Sequence, residues 1–427
     1  MQIIKHANHE ELSALLKRPM QDFAQIEKPV QDILNTVKLQ GDKALINFAK
    51  KFDKAALTSV RVNDKEIKAA TKQVDKKLKA AIQVAYNNIK KFHAAQVVKP
   101  SKIETTKGVV CWRENRAIQN IGLYIPGGSA PLFSTVLMLS IPARIAGCKR
   151  IVLCTPPNAE GNIHPAILYA AQLCGVTEIY KAGGAQAIAA LAYGTESIGK
   201  VDKIFGPGNQ YVTVAKQLVQ KDGTAIDMPA GPSEVLVVAD ENAVPEFIAA
   251  DLLSQAEHGP DSQVVLVTYK EKIIEPVLLQ LHKQLNELPR LQIAAEALKN
   301  SKIFLVKNKQ EAVSIINEYA PEHLIVSVKD EAYFIKNVVN AGSVFLGNYT
   351  PESAGDYASG TNHTLPTNGY AKVYGGVSLD SFVKKVTYQK ISEKGIKALG
   401  PVIETMAEAE QLVAHKNAVS VRLKNKS

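Results

Sequence analysis

The sequence predicts an α/β fold with two similar parallel-sheet domains, a helical N-terminal segment and a small C-terminal tail. Short apolar runs, many of them β-branched, recur from about residue 120 at roughly 25–30-residue spacing, as the strands of βαβ units do. Helical stretches lie between these runs, and the runs fall into two successive series. Apolar strands that alternate with amphipathic helices are typical of parallel sheets covered on both faces. At 427 residues, the chain has room for two or three domains of roughly 150 residues.

The N-terminal region, residues 1–119, is predicted to be largely helical. From about residue 20 to about residue 100, apolar side chains recur at spacings of three and four, which indicates one buried face of a helix. They include Ile33, Val37, Leu45, Phe48 and Ala49. We expect this region to pack on the second α/β domain.

The two series of strands predict α/β domains at residues 120–232 and 233–370. The strands of the first series are Ile121–Ile125, Arg150–Thr155, Glu178–Lys181 and Lys203–Phe205, with helices at Thr135–Ala146 and His164–Cys174. Those of the second are Glu234–Ala239, Ser262–Thr268, Ile303–Val306, His323–Val328 and Ser343–Leu346. The likeness of the two series suggests an old duplication, although no residue-level repeat proves one.

The predicted tail comprises residues 371–427. Gly375 and Gly376 precede a helix-like, charged segment, Ser381–Ser427, which is too short to bury a large core of its own. Such a tail packs either on its own chain or on a partner subunit, and the sequence leaves both arrangements open.

Composition and charge exclude several classes of protein. Apolar residues make up 46% and charged residues 22%, which argues against a disordered, collagen-like or disulfide-scaffold protein. The net charge of +10 raises nucleic acid as a partner, but residues 1–100 carry +9, residues 381–427 carry +5 and residues 101–380 carry −4. The N-terminal lysines are spread over helical sequence with few aromatic residues between them. This pattern favours a solvated helix face over a nucleic-acid-binding surface.

The cysteines and the termini predict a cytoplasmic protein with no membrane partner. Cys111, Cys148, Cys154 and Cys174 show neither a CxxC pair nor zinc-finger spacing, so we expect reduced thiols. The N-terminus lacks a secretory signal, and no apolar run approaches the ~20 residues that span a bilayer. Cys111 and Cys148 also lack a neighbouring histidine that would activate them as nucleophiles.

Glycine-rich turns follow three strands of the first series. They are Ile125–Ser129, Ala182–Gln186 and Phe205–Asn209, and none matches the GxGxxG dinucleotide fingerprint. Each alone is typical of a tight turn between a strand and a helix. Three of them at successive strand ends favour a phosphate- or dinucleotide-binding edge of one sheet.

Histidine, carboxylate and amide side chains form four further candidate groups. Gln255 and His258 are three residues apart at the end of a predicted helix, where they suit either a metal site or a C-terminal cap. The glycines of the polar loop Thr350–His363 allow Asp356 and His363 to converge, and this pair suits zinc or manganese. An ordinary solvated loop explains this segment as well. In the tail, Glu410 and His415 are five apart and meet one ligand only if a helix ends near Ala414.

The adjacent pair Glu322–His323 can supply two proton-transfer groups to one pocket. Neighbours on a strand point to opposite sides, so sharing a pocket requires an irregular strand start, which Pro321 favours. Taken alone, an exposed pair at a loop edge explains the sequence as well. GxSxG and HExxH motifs are absent from the sequence.

Together these residues resemble the histidinol dehydrogenase family. The likeness rests on Ile121-Gly-Leu-Tyr-Ile-Pro-Gly-Gly, Phe205-Gly-Pro-Gly-Asn, Met228-Pro-Ala-Gly-Pro-Ser-Glu, Leu253-Ser-Gln-Ala-Glu-His-Gly, Ala320-Pro-Glu-His-Leu and Ser359-Gly-Thr-Asn-His-Thr-Leu-Pro-Thr. It runs over most of the chain. It implies incomplete Rossmann-like domains of the aldehyde-dehydrogenase-like type. It also implies oxidation of L-histidinol to L-histidine through L-histidinal with two NAD, the last step of histidine biosynthesis.

The resemblance implies a role for each matching residue. Zinc, one per subunit, would be held by Gln255, His258, Asp356 and His415. Glu322 and His323 match the proton-transfer pair, with His323 as general base and Glu322 activating water. The positions that contact NAD in the family correspond to Tyr124, Gln186 and Asn209. The substrate pocket matches the zinc ligands together with Ser233, His323, His363 and Glu410. The family also implies a homodimer in which the tail, with His415, serves the site of the other subunit.

Two rival functions remain open on the sequence. A zinc hydrolase could use Glu322 as the general base on a metal-bound water, but it would leave the three glycine turns without a role. A nucleic-acid-binding protein would use the basic flank, and its binding would weaken with added salt.

Overall fold

Two units make up the chain in the computed structural model, which describes residues 1–7, 9–18, 24–127, 130–229 and 231–424. The first unit combines residues 1–95 and 119–381, and the second combines residues 96–118 and 382–427. The first unit contains two parallel sheets, so the predicted α/β class is confirmed. The boundaries predicted at residues 119, 232 and 370 stay predictions.

The N-terminal region is helical after a first short strand. Its elements are β1 (Gln2–Lys5), α1 (His9–Leu15), α2 (Ala24–Phe48), α3 (Asp64–Gln73) and α4 (Lys76–Ala94). The chain turns sharply at Gly41 inside α2, and a π-helical turn, Ala49–Asp53, follows. Asn63 begins α3 with a capping box. Its side chain accepts hydrogen bonds from the Lys65 and Glu66 N–H groups, and the Glu66 carboxylate accepts one from the Asn63 N–H.

The next two strands, β2 (Lys102–Thr106) and β3 (Val109–Ala117), belong to the second unit. The first parallel sheet then follows with β4 (Asn120–Tyr124), α5 (Phe133–Ala146), β5 (Arg150–Thr155), α6 (Pro165–Leu173), β6 (Glu178–Lys181), α7 (Gly184–Tyr193), β7 (Lys203–Phe205), α8 (Gln210–Lys221) and β8 (Ala225–Ile226). Its strand order is β6-β5-β4-β7-β8. From β4 the chain adds β5 and β6 on one side, and it then crosses to the other side of β4 to add β7 and β8. The crevice at the carboxyl ends of β4 and β7, where the strand order switches, is the expected ligand site of such a sheet.

The second parallel sheet has the order β1-β11-β10-β9-β12-β13. Its elements are β9 (Glu234–Ala239), α9 (Pro245–Ala256), β10 (Gln263–Thr268), α10 (Ile274–Leu285), α11 (Leu291–Lys299), β11 (Lys302–Leu305), α12 (Lys309–Tyr319), β12 (His323–Ser327), α13 (Glu331–Asn337), β13 (Ser343–Leu346) and α14 (Glu352–Tyr357). The strands β9 and β10 are buried along their whole length, as a central parallel strand requires. The predicted strands of both series are confirmed to within one or two residues.

The helices of the N-terminal region pack on the first α/β segment. Val30, Leu34 and Leu45 of α2 lie in one buried apolar core with Val152 and Leu191. At the start of the region, β1 pairs in parallel with β11, and Leu16, just after α1, lies in the apolar core around Leu236. The first residues therefore pack on the second α/β segment, as expected for the whole region, while α2 packs on the first.

The second unit is an antiparallel sheet with two helices. After β14 (Val383–Ile391) come α15 (Glu393–Ala409) and α16 (Val413–Lys424), and the strand order is β14-β3-β2. The tail is therefore not helical throughout, because β14 pairs with β3 of its own chain over all nine residues. Trp112 stacks on Tyr388 across this pair, with ring centroids 5.3 Å apart.

The four cysteines, all within the described part of the chain, are reduced thiols outside any disulfide, as predicted. Burial raises the pKa of Cys148 to about 11 and that of Cys174 to about 12, which leaves both thiols protonated and unreactive at neutral pH. Among the described residues, no helix is both long and apolar enough to cross a membrane.

Candidate active site

A cavity of about 1420 Å³ opens at the carboxyl ends of the first sheet's strands. Tyr124, Gln186 and Asn209, which the sequence assigns to NAD, all line it. Tyr124 is the last residue of β4, Gln186 lies in the first turn of α7, and Asn209 is the N-cap of α8. The three residues therefore meet at one place although they come from three different strand–helix junctions.

The glycine turns let the backbone approach closely at this edge. Gly206 follows β7 with a φ of 129°, and a Cβ atom at this position would lie 2.0 Å from the carbonyl oxygen of Tyr124. The Gly184 N–H, at the start of α7, donates a hydrogen bond to the Tyr124 hydroxyl at 3.1 Å. Burial raises the pKa of Tyr124 to about 12, so its hydroxyl stays protonated. Of the predicted turn Ile125–Ser129, Gly128 and Ser129 lie outside the described residues.

The pair Glu322–His323 lies at the amino end of β12, in the second sheet. Ala320 has a left-handed backbone, with a φ of 50°, immediately before Pro321, so the strand start is irregular. Both side chains of the pair are buried, and Glu322 Oε2 lies 3.6 Å from His323 Nδ1. The irregular start thus brings two neighbours into one pocket, and the exposed-pair interpretation is wrong.

The His323 ring is held by its Nδ1 atom. This nitrogen donates to the carbonyl oxygen of Glu234 at 3.2 Å, which selects the tautomer that leaves Nε2 free to accept a proton. His323 Nε2 lies 3.5 Å from Asp356 Oδ1 and has no hydrogen bond among the described residues. His323 Nε2 is therefore the atom available for proton transfer.

A group of metal-ligating side chains lies beside His323. The ligand atoms of His258, Glu352 and Asp356 all lie within 4.8 Å of one another. Glu352 is only 1% exposed, and a carboxylate buried this deeply needs a cation or a proton. One imidazole and two carboxylates form a donor set that suits zinc or manganese, so these residues fit a divalent metal ion.

Gln255 contacts this group from α9. With its amide oriented so that both polar groups are satisfied, its nitrogen donates to the Glu352 carboxylate and its oxygen accepts from the Glu234 N–H at 3.0 Å. An amide oxygen has two lone pairs, so one remains for a metal ion. His258 lies just beyond the C-cap of α9, Glu257, rather than on the helix itself.

Burial and the neighbouring charges both shift the pKa values of the side chains in this group. Burial raises the pKa of Glu322 to about 8 and that of Glu352 to about 8, with His323 opposing both shifts. Burial alone would lower the pKa of His323, but the carboxylates of Glu322, Glu352 and Asp356 outweigh it and raise the value to about 10, so His323 can act as a base only when a bound cation offsets those carboxylates. Burial of the ring lowers the pKa of His258, although part of this residue stays exposed. At neutral pH the buried carboxyl groups of Glu322 and Glu352 therefore retain protons, which a bound cation would displace.

Asp356 lies on a short helix rather than in an irregular loop. The structure forms α14 over Glu352–Tyr357, so Glu352 and Asp356 are four residues apart on one helical face. The sequence interpretation singled out Asp356 and missed Glu352. The spacing of the two acids before a glycine-rich segment is the signal that could have identified it.

His363, one of the predicted substrate residues of the first unit, contacts the segment that carries Asp356. His363 Nδ1 donates to the Asp356 carbonyl oxygen at 2.9 Å, and its Nε2 accepts from the Thr135 hydroxyl at 3.0 Å. Ser233 immediately precedes β9. Glu410 and His415 belong to the second unit, at the C-cap of α15 and in α16.

Comparison with known proteins identifies the family. The family model described as histidinol dehydrogenase matches residues 16–423. The chain belongs to the histidinol dehydrogenase family. A histidinol dehydrogenase of Bacteroides thetaiotaomicron is 58% identical over 423 residues, covering 99% of each chain. A histidinol dehydrogenase of Vibrio parahaemolyticus is 54% identical and covers 97% of this chain and 96% of that one.

A solved structure supports the same conclusion. The crystal structure of histidinol dehydrogenase from Elizabethkingia anophelis superposes with a TM-score of 0.98 at 59% identity, covering 99% of this chain and 98% of that chain. The resemblance stated from the sequence is therefore confirmed. The fold with two parallel sheets is that of a histidinol dehydrogenase over nearly its full length.

Proposed function

We propose that this chain oxidises L-histidinol to L-histidine through L-histidinal, reducing two NAD, as the last step of histidine biosynthesis in the cytoplasm. One observation carries the proposal. The buried pair Glu322–His323 lies against the metal-ligating group of His258, Glu352 and Asp356, with 3.5 Å between His323 Nε2 and Asp356 Oδ1. A general base, a water-activating carboxylate and a cation-binding group are thus within reach of one small substrate.

Zinc, one ion per subunit, is the metal that the donor set suits. Gln255, His258 and Asp356 would hold it together with His415 of the partner subunit. Bound there, zinc would supply positive charge that orients the imidazole and amine of the substrate. The deep burial of Glu352 supports this assignment, because a carboxyl group there needs either a proton or a cation.

In the first half-reaction the alcohol becomes an aldehyde. His323 Nε2 takes the hydroxyl proton while hydride leaves the same carbon for the nicotinamide ring of NAD, and the C=O bond forms. The Glu234 carbonyl holds His323 Nδ1, so that the accepting nitrogen keeps its direction. Two electrons leave with the hydride and one proton goes to the protein.

In the second half-reaction the aldehyde becomes a carboxylate. Glu322 takes a proton from water as the water oxygen adds to the aldehyde carbon, giving the monoanion of the hydrate, with the negative charge on the former carbonyl oxygen. A second hydride then leaves that carbon for a second NAD, and the products are histidine, NADH and protons. Burial raises the pKa of Glu322 to about 8, which suits a carboxyl group that must accept and return a proton near neutral pH.

The substrate and NAD would occupy neighbouring parts of the first unit. Tyr124, Gln186 and Asn209 line the cavity that we assign to NAD. The substrate would contact the zinc ligands, His323, His363 and Ser233, and also Glu410 of the tail. We propose a homodimer that exchanges tails, as the family resemblance implies, in which Glu410 and His415 serve the site of the partner subunit.

Product analysis tests the proposal directly. The metal-loaded protein, mixed with L-histidinol and NAD, should form NADH and L-histidine, and removal of the metal by a chelator should abolish both. Hydrolysis of a substrate with no NADH formed would instead favour the zinc hydrolase, for which the cavity lined by Tyr124 has no use.

A further inference from the structure

An arginine from the N-terminal segment lies beneath the catalytic pair. Arg18 follows α1, and its guanidinium donates to both carboxylate oxygens of Glu234, with 2.8 Å from Nη2 to Oε1. It also donates to the Tyr319 carbonyl oxygen at 2.6 Å and stacks over the Tyr319 ring, 4.0 Å from the ring centroid. The Arg18 side chain is only 16% exposed. Three sets of contacts therefore fix its guanidinium in one position.

Glu234 in turn contacts both residues of the pair. Its N–H donates to Glu322 Oε2 at 3.0 Å, and its Oε1 accepts from the Glu322 N–H at 3.3 Å. Its carbonyl oxygen accepts from His323 Nδ1 at 3.2 Å. The Glu234 backbone therefore holds the His323 ring and the Glu322 carboxylate, while its side chain, which Arg18 binds, contacts Glu322 and not His323.

Charge makes this arrangement depend on Arg18. Glu234 is 2% exposed and Glu322 is 6% exposed, so two carboxyl groups are buried beside each other. Two buried like charges repel strongly unless a cation compensates one of them. An arginine remains charged at any working pH and matches a carboxylate through two parallel hydrogen bonds. Without it, Glu234 would be a buried, unpaired charge next to Glu322.

We propose that Arg18 is a positioning residue for the aldehyde step, acting through Glu234 to hold the Glu322 carboxylate in place and to cancel the charge beside it. This inference rests on the proposed role of Glu322 in activating water. Arg18 touches neither substrate nor NAD in this scheme, so its effect should fall on the step that uses Glu322 and should spare the NAD cavity.

The test compares Arg18→Met with a matched control, Lys5→Met. Lys5 comes from the same N-terminal segment and pairs with Glu271 on the surface, away from the catalytic pair. The rates to measure are single-turnover hydride transfer from histidinol and steady-state oxidation of histidinal. For Arg18→Met we expect histidinal oxidation to fall about 100-fold, as misplaced catalytic groups do. Histidinol oxidation should fall less, the KM for NAD should not change, and Lys5→Met should match the wild type.

A second substitution separates charge compensation from packing. In Arg18→Met/Glu234→Gln the buried charge is removed while the backbone contacts of residue 234 remain. We expect this double variant to regain at least tenfold in histidinal oxidation over Arg18→Met. A double variant as slow as Arg18→Met, or slower, would overturn the proposal, because packing alone would then explain the loss.

Arg18→Lys covers the case in which Arg18→Met does not fold, as judged by thermal unfolding and metal content. Lysine keeps the positive charge but loses the bidentate hydrogen bonds to Glu234 and the stacking on the Tyr319 ring. We therefore expect about a tenfold loss in histidinal oxidation. Wild-type rates for Arg18→Lys and Arg18→Met would overturn the proposal. Glu322→Gln, assayed alongside, separates the two failures: if it slows both steps equally, the assigned role of Glu322 is wrong whatever Arg18 does.

Discussion

His323 Nε2 lies 3.5 Å from Asp356 Oδ1, while His323 Nδ1 is tied to the Glu234 carbonyl oxygen at 3.2 Å. One nitrogen of the ring is thus occupied by the backbone, and the other faces a proposed metal ligand. A substrate held by the metal ion would present its reacting carbon to a base whose direction is already fixed. This relationship links proton transfer to metal binding.

Removal of a metal ligand should abolish both metal binding and activity. We expect His258→Ala to weaken zinc binding by about 100-fold or more, since loss of even a supporting contact costs 10- to 100-fold. Metal content after dialysis and NADH formation measure the two effects. His282→Ala, which removes an exposed imidazole from α10, is the matched control. Full activity with stoichiometric zinc in His258→Ala would refute the assignment.

Removal of the water-activating carboxylate should separate the two half-reactions. We expect Glu322→Gln to slow histidinal oxidation by about 100- to 1000-fold, within the range of a lost general base. Histidinol oxidation to the aldehyde should be affected far less, because it consumes no water. Parallel assays with histidinol and histidinal measure the split, and an equal loss on both substrates would count against this role.

The Tyr124 hydroxyl should matter for NAD and not for the metal. Tyr124→Phe leaves the Gly184 N–H without its acceptor, which disturbs the start of α7 beside Gln186. We expect the KM for NAD to rise about fivefold, equivalent to roughly 1 kcal/mol for one hydrogen bond, with zinc content unchanged. Tyr169→Phe on α6 is the control. An unchanged KM for NAD in Tyr124→Phe would remove this residue from the NAD site.

The close approach at Gly206 should tolerate no side chain. Gly206→Ala would place Cβ 2.0 Å from the Tyr124 carbonyl oxygen at a φ of 129°. We expect the free energy of unfolding to drop by about 2 kcal/mol or more, together with weaker NAD binding. Gly375→Ala, at a position with open space around it, should leave both quantities unchanged. Normal stability in Gly206→Ala would contradict the described turn.

A buried aspartate should make stability depend on pH. Asp53 lines the cavity that we assign to NAD, and burial raises the pKa of its carboxyl from 3.8 to about 6. The folded state therefore holds this proton more tightly than the unfolded state, so stability is lost as pH rises from about 4 to about 6. Discounted for partial exposure, the loss is about 1–2 kcal/mol. Asp53→Asn, unfolded with urea without NAD, should gain stability over the wild type above pH 6 and not below pH 4.

Asp64→Asn is the control for this titration, because it removes an exposed carboxylate from the first turn of α3. Its difference from the wild type should be nearly the same at pH 4 and pH 7. If Asp53→Asn also shows no change between these pH values, the carboxyl of Asp53 is not buried as described.

Buried elements were predictable from the sequence, and exposed ones were not. The strands β9 and β10 are buried throughout and read as continuous apolar runs. By contrast, β2 is exposed along its whole length, so no apolar run marks it. The same holds for much of β14, whose pairing with β3 depends on residues that lie far away in the sequence.

The site divides in the same way. Unusual strings around Glu322 and Asp356 carry the family resemblance, and the structure brings those residues together. Glu352 and Arg18 escaped notice because their roles depend on contacts rather than on local pattern. Arg18 reaches Glu234 across 216 positions of sequence, a contact that only the folded chain reveals.

The stoichiometry of NADH formed per histidinol consumed is the most direct test of the four-electron oxidation. With excess NAD and the metal-loaded protein, we expect two NADH and one histidine for each histidinol. A ratio of one, with histidinal as the product, would contradict the four-electron oxidation and indicate an ordinary alcohol dehydrogenase.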